Sequence, residues 1–240
     1  IPSRADLPER LETLLYVIYL AFNEGYSASS GQLLTRADLS AEAIRLGRLM
    51  LELLPEAEVI GLLALMLLQE SRRSARTSET NEVVLLENQD RAQWNRDLIN
   101  EGLALVQRAL ATPGYGPYTL QAAIAAVHAQ APSPDATDWP QITALYNLLL
   151  QINPSPVVEL NRAIAIAMRD GPQAGLHLID NILTRGDLSE YHYAHAARAD
   201  LCRRLGRTPE AKASYQRALD LARQEPERRF LQQRINELTA

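Results

Sequence analysis

Apolar residues recur along this chain at helical spacing. From Leu7 they fall at Leu11, Leu14, Leu15, Ile18 and Phe22, one stripe down the side of a helix. Asp38 stands where a cap would open a second helix carrying Leu39, Ala43, Leu46, Met50 and Leu54, with Pro55 as its stop. Val59 to Leu68 is apolar on every side, the pattern of a helix sandwiched between others. Asp138, followed by Pro140 and Gln141, has capping-box spacing with a proline in the first turn. Ser155-Pro156, Thr208-Pro209 and Glu225-Pro226 also put proline at a helix start, where its missing N–H costs nothing. Stops are expected at Gly171, Gly186 and Gly206. The pattern predicts about eleven helices, and the one plausible extended stretch is "EVVLLE", Glu82 to Glu87. The fold class this implies is all-α.

Between the periodic segments lie three loops. Ser71 to Asp90 is long, charged and rich in Ser, Thr, Arg and Glu, an irregular excursion between helices. "ATPGYGPY" (Ala111 to Tyr118) and "APSPDATD" (Ala131 to Asp138) are the others. A break near residue 112 divides the chain into an N-terminal helical region, 1–111, carrying the excursion at 71–90, and a region of repeats, 112–240.

The second region has a period. The tetratricopeptide repeat spans about 34 residues, two antiparallel helices with small residues where they cross. "HYAHAARADLCRRLGRTPEAKASYQRALDLARQ" (His192 to Gln224) follows it, with Ala199 at the crossing, Gly206 in the turn, and Ala211, Tyr215 and Ala218 in the second helix. Ile142, Tyr146, Leu149 and Pro154 repeat the second-helix pattern, with Leu120, Ala123, Ile124 and Val127 as its first helix. Val157 to Leu183 supplies another pair around Asp170-Gly171, and Ala43, Gly47, Met50 and Pro55 a worn copy upstream. Copies in series predict a right-handed stack of antiparallel helix pairs, a tetratricopeptide-like solenoid running through both regions. Its concave face is of the kind that binds other polypeptides.

Composition narrows the function. At 240 residues and 47% hydrophobic, the chain buries a real core. A net charge of −5 argues against a nucleic-acid surface, which needs a basic face. The lone Cys202 suits a reducing compartment and reads as a small buried hydrophobe. No run approaches the apolar length of a membrane span, so the expectation is a soluble, cytoplasmic protein. An Ile-Pro opening in place of Met suggests that an upstream part was removed. Nearly all basic residues are arginine, with Lys212 the one lysine; that suits phosphate or carboxylate recognition and equally a coding bias.

Candidate chemistry is sparse. His192 and His195 could face a metal together, but nothing completes a ligand set, so no metal site and no cofactor are expected. HExxH, GxSxG, phosphate-binding glycine loops and CxxC are absent, and no catalytic residues are assigned. Two polar constellations stand out. One is "YLAFNEGYSASSG" (Tyr19 to Gly31), with Asn23, Glu24 and Tyr26 around a glycine; the other is "LLENQDRAQWNRDLINEG" (Leu85 to Gly102), with Gln89, Asp90, Arg91 and Trp94 crowding a helix start. They could converge, with Arg36, as a partner-binding site. Alternatively, Glu24 with Arg91, or Asp90 with Arg36, are buried pairs that register the first helices, and Asn88 or Asp90 is a helix cap. An acid beside an amide could do acid–base work, which keeps an enzyme reading open.

Six blocks, "LPERLETLLYVIYLAFNEGYSASSG", "RADLSAEAIRLGRLMLELLPEAEVIGLLALMLLQESRRSAR", "LLENQDRAQWNRDLI", "GPYTLQAAIAAVHA", "TDWPQITALYNLLLQINPSPVVELNRAIAIA" and "YHYAHAARADLCRRLG", follow one another in this order. On them the chain resembles the long C-terminal extension of one subgroup of bacterial extracytoplasmic-function sigma factors of RNA polymerase. The resemblance implies an upstream sigma core that binds polymerase and promoter, with "IPSRADLPERL" as the linker out of it. It implies as partners the chain's own sigma core, RNA polymerase and a signalling protein, in transcription initiation. This chain has no basic helix-turn-helix, so direct DNA contact is not expected. A stand-alone peptide-binding scaffold is the alternative.

Overall fold

The computed structural model describes residues 7–27, 35–78 and 82–239, with the side chains of Leu7 and Pro8 excepted. Among them the chain is all-α, with eleven α-helices and no strand. In order these are α1 (Leu7–Tyr26), α2 (Ala37–Leu53), α3 (Ala57–Glu70), α4 (Arg96–Ala111), α5 (Pro117–Gln130) and α6 (Trp139–Ile152). They continue with α7 (Pro156–Asp170), α8 (Pro172–Thr184), α9 (His192–Arg204), α10 (Thr208–Leu221) and α11 (Glu225–Glu237).

Local signals account for most of these boundaries. The Asp138 carboxylate accepts from the Gln141 N–H at 2.9 Å and opens α6. Prolines occupy the first turns of α5, α6, α7, α8, α10 and α11. The three expected stops hold, with φ of +100° at Gly171, +85° at Gly186 and +72° at Gly206. At α2 the expectation fails. Arg36 takes the N-cap position without a side-chain cap, and Asp38 lies inside the first turn, pairing with Arg36 at 3.2 Å. "EVVLLE" is not a strand either. Val83 forms one isolated antiparallel bridge with Thr77, and Leu86–Asn88 turns into a 3₁₀ helix.

The apolar α3 is the hub of the first half. Every residue from Ala57 to Leu68 except Glu58 is buried, and α1, α2, α4 and α5 pack around it. Its one early acid has its own use. The Glu58 carboxylate accepts from the N–H groups of Gly116 (2.8 Å), Tyr118 (2.9 Å) and Thr119 (3.0 Å), and from the Thr119 hydroxyl (2.7 Å). A side chain of one helix thus caps the N-terminus of another, where orphan N–H groups and the helix dipole both favour an anion.

From α6 onward the main contacts of each helix are with its neighbours in sequence. The crossing of α9 and α10 uses the small residues picked out by the repeat pattern. Ala199, Ala211 and Ala218 are fully buried, and Tyr215 fills the space beside them. Cys202 is buried in the same interface, as expected of a small hydrophobe.

Candidate functional site

Two aromatic side chains anchor the region singled out from sequence. Tyr26 ends α1, its ring stacked on Phe22 at 5.7 Å, and Trp94 stands just before α4 with 3% of its surface exposed. Arginines of the excursion between α3 and α4 connect them. Arg72 donates to the Tyr26 hydroxyl at 2.9 Å and lies 5.8 Å from the Trp94 ring centroid. Arg76 stacks 3.6 Å over the Tyr26 ring and donates to the Tyr26 carbonyl. Arg91 covers Trp94 at 4.5 Å and donates to the carbonyls of His128 (2.9 Å) and Ala131 (2.8 Å). The two constellations therefore meet, and the arginines Arg72 and Arg76, which the sequence reading did not single out, join them. Their signal was present as three arginines within "ESRRSAR", more positive charge than local acids neutralise.

Arg76 and Arg91 share a structural role. Arg76 reaches the last carbonyl of α1, and Arg91 reaches a last-turn carbonyl of α5 and the carbonyl of its C-cap. Arg228 does the same at the end of α10, donating to Leu219 and Ala222 at 2.8 and 3.0 Å. Each guanidinium satisfies carbonyls left orphaned at a helix C-terminus, the end that favours a cation. Burial holds Arg76 below the usual arginine range, and Arg72 and Arg73 push it further the same way. Arg73 pairs with Glu70 at 2.7 Å and donates to the Ser40 hydroxyl, tying the excursion to α2. Burial raises the Glu70 carboxyl against the opposing pull of Arg73.

The expected registering pairs are not formed. Arg91 uses the carbonyls of α5 rather than Glu24, and Arg36 bonds Asp38 at the surface rather than Asp90. Both arginines have nearer acceptors than the acids proposed for them. Asp90 caps the 3₁₀ turn at Arg91–Gln93 through the Ala92 N–H, and the cap of α4 is Asn95. Gln89 is buried and donates to the Val84 carbonyl at 3.2 Å. Gly25, the glycine of the first constellation, lies within α1. A Cβ there would come 2.4 Å from the Ser40 backbone nitrogen, so glycine is required by the close approach of α2. Ala28, Ser29, Ser30 and Gly31 of the first constellation lie outside the described residues.

Two concavities adjoin this cluster. Asn23, Tyr26 and Ser27 at the end of α1 line a cavity of about 540 Å³ with Tyr193 of α9 and Gln224 and Glu227 at the start of α11. The first and last helices therefore approach one another. Tyr193 bonds Ser27 and Glu227, and burial, reinforced by the Glu227 charge, raises its phenol. His192 Nε2 lies 3.2 Å from a Glu227 carboxylate oxygen, and His195 bonds the Ser189 carbonyl at 2.8 Å, so the two histidines face different groups. Among the described residues no group of three metal-ligating side chains occurs.

The second cavity is larger, about 1030 Å³, and lies along the inner sides of α7, α9 and α11. Trp139, Tyr215, Phe230 and Met168 give it an apolar wall, and Arg91 and His128 stand at its edge with the excursion. His128 packs edge-on to Trp139 at 5.3 Å. Burial, together with the charges of Arg72 and Arg91, pushes its imidazole down to about 4. Glu24 lines neither cavity.

Residues 10–110 match the model of a family of unknown function, DUF6596. Over all 240 residues the chain is 47% identical to an uncharacterised protein of Rhizobium meliloti (strain 1021). The chain spans 56% of that relative's length. Among the described residues no helix is long and apolar enough to cross a membrane.

Proposed function

We propose that this chain is the C-terminal regulatory domain of a bacterial extracytoplasmic-function sigma factor. In this reading it acts in transcription initiation by contacts with its own sigma core, with RNA polymerase or with a signalling partner, and carries no catalysis of its own. The helices form a tetratricopeptide-like solenoid, curled so that its ends approach. The alternative is a stand-alone peptide-binding scaffold.

The observation that carries the contact role is the outer face of α1. Leu14, Tyr16, Val17 and Leu20 are 42%, 55%, 54% and 47% exposed. At about 100° per residue they sweep the arc turned away from Leu15, Ile18 and Phe22, which are buried against α2 and α3. Leu14, expected in the buried stripe, sits on the border of the two arcs. A helix apolar on both faces but covered on one marks an interaction surface. By the resemblance to sigma factors, α1 is the helix nearest the sigma core, which makes that core the occupant. The cluster around Tyr26 and Trp94 then holds α1 at a set angle.

The test is a pull-down of the separated sigma core and polymerase by this chain, with Val17→Asp/Leu20→Asp as the disrupted form. Both residues are exposed, so stability should change little. Capture by the native chain and its loss in the double variant is the expected result. Equal capture by both, or capture by neither, removes the basis for the reading.

A further inference from the structure

The cavity of about 1030 Å³ differs in chemistry from the outer face of α1. Its size sits at the upper end of small-molecule sites, and its wall combines a mainly apolar surface with charged and polar side chains, among them Arg91, His128, Asn161, Asp200 and Arg204. Charge is unevenly distributed around it. Arg234 is taken by Glu237 at 2.9 Å and Asp200 by Arg203 at 2.7 Å. Glu87 and Asp135 lie among the solvent-exposed residues. Arg91 is different. It lines the cavity, no described carboxylate pairs with it, and its Nε–H is buried without an acceptor. Carbonyls of α5 hold Arg91 in place but leave its charge uncancelled, and Arg72 adds a second cation nearby. His128 feels both charges, which help keep it neutral.

We propose that this cavity binds a small amphipathic anion, an aromatic or aliphatic body carrying one carboxylate. The body lies against Trp139, Tyr215, Phe230 and Met168, and the carboxylate faces Arg91 beside His128. The anion supplies the countercharge that this corner lacks, and buried charge-assisted contacts are the strong ones. The domain would then sense a metabolite as well as touch protein. This goes beyond the contact role proposed above and is tested on the chain alone, so either can fail without the other.

The probes are 1-naphthoate and its neutral counterpart 1-naphthalenemethanol, titrated calorimetrically into the full chain. Naphthoate should bind roughly tenfold tighter, the scale of one charge-assisted hydrogen bond. Asn161→Trp, an exposed α7 residue whose larger side chain narrows the cavity, should weaken binding of both probes. Arg91→Gln should remove the preference for naphthoate. Because that variant also loses a helix cap, a second readout uses the native chain. Saturating naphthoate should raise the His128 midpoint, seen by imidazole NMR, by roughly one pH unit from about 4, since a nearby anion favours the imidazolium. No binding, equal affinity for the two probes, affinity unchanged by Asn161→Trp, or an unmoved His128 midpoint overturns the proposal.

Discussion

The helices around α3 and those from α7 to α11 are built on different principles. α3 is buried on all sides and touches four other helices, so the first half has a single shared centre. The later helices pack mainly on the helix before and the helix after. Their cores follow the row: one runs from α7 to α10 with Leu160, Leu176, Ile179 and Cys202, and the next joins α9, α10 and α11 through Ala199, Tyr215, Ala218 and Leu231. Stability in such a row is close to a sum of neighbour terms, whereas a shared centre fails as a unit. Among the described residues, ion pairs between elements are also more frequent in the later part, as with Arg185 to Glu159 at 2.5 Å and Arg198 to Asp180 at 2.7 Å. The first of these is half exposed and contributes little.

The contrast can be broken most forcefully at Leu67. It is fully buried in α3, and Leu67→Ala should cost about 2–5 kcal/mol through lost transfer energy and a cavity. Hydrogen exchange should show α1 to α5 loosening together. Loss of protection confined to α3 alone would contradict the shared centre.

Next in size is a pH effect at the seam between the halves. His128 titrates at about 4 in the fold, against about 6.5 when exposed. Between these values the unfolded chain binds the extra proton, so stability is complete above about pH 6.5 and falls as pH drops toward 4. The loss is about 3 kcal/mol at most. His128→Phe should flatten that part of the stability profile measured by urea unfolding at a series of pH values. An unaltered profile would mean that the imidazole is solvated.

The smallest effect is expected at Gly175 in α8. A Cβ there would come 2.4 Å from the Ala167 Cβ and 2.6 Å from the Ala163 carbonyl. Gly175→Ala should therefore pry α7 from α8 at a cost of about 1–3 kcal/mol. Exchange should quicken in α7 and α8 and leave α3 protected. Faster exchange in α3 as well would show that the two halves are coupled more tightly than their packing suggests.

The sequence alone determined the helices. Asp138, the first-turn prolines and Gly171, Gly186 and Gly206 act within a few residues of themselves, so reading them requires no partner. The burial of α3 and the Ala199–Ala218 crossing were equally legible, because apolar spacing carries its own phase. Tertiary structure decided the polar pairings. Arg91 had several acids within sequence reach and chose the end of α5, 37 and 40 residues away; Glu58 chose the start of α5, 58 to 61 residues away. A charged side chain has no periodicity to announce its partner, and orphan backbone groups at a helix end compete with carboxylates on equal terms. The cavity beside Arg91 follows from those choices, since it exists only where helices distant in sequence curve around common space.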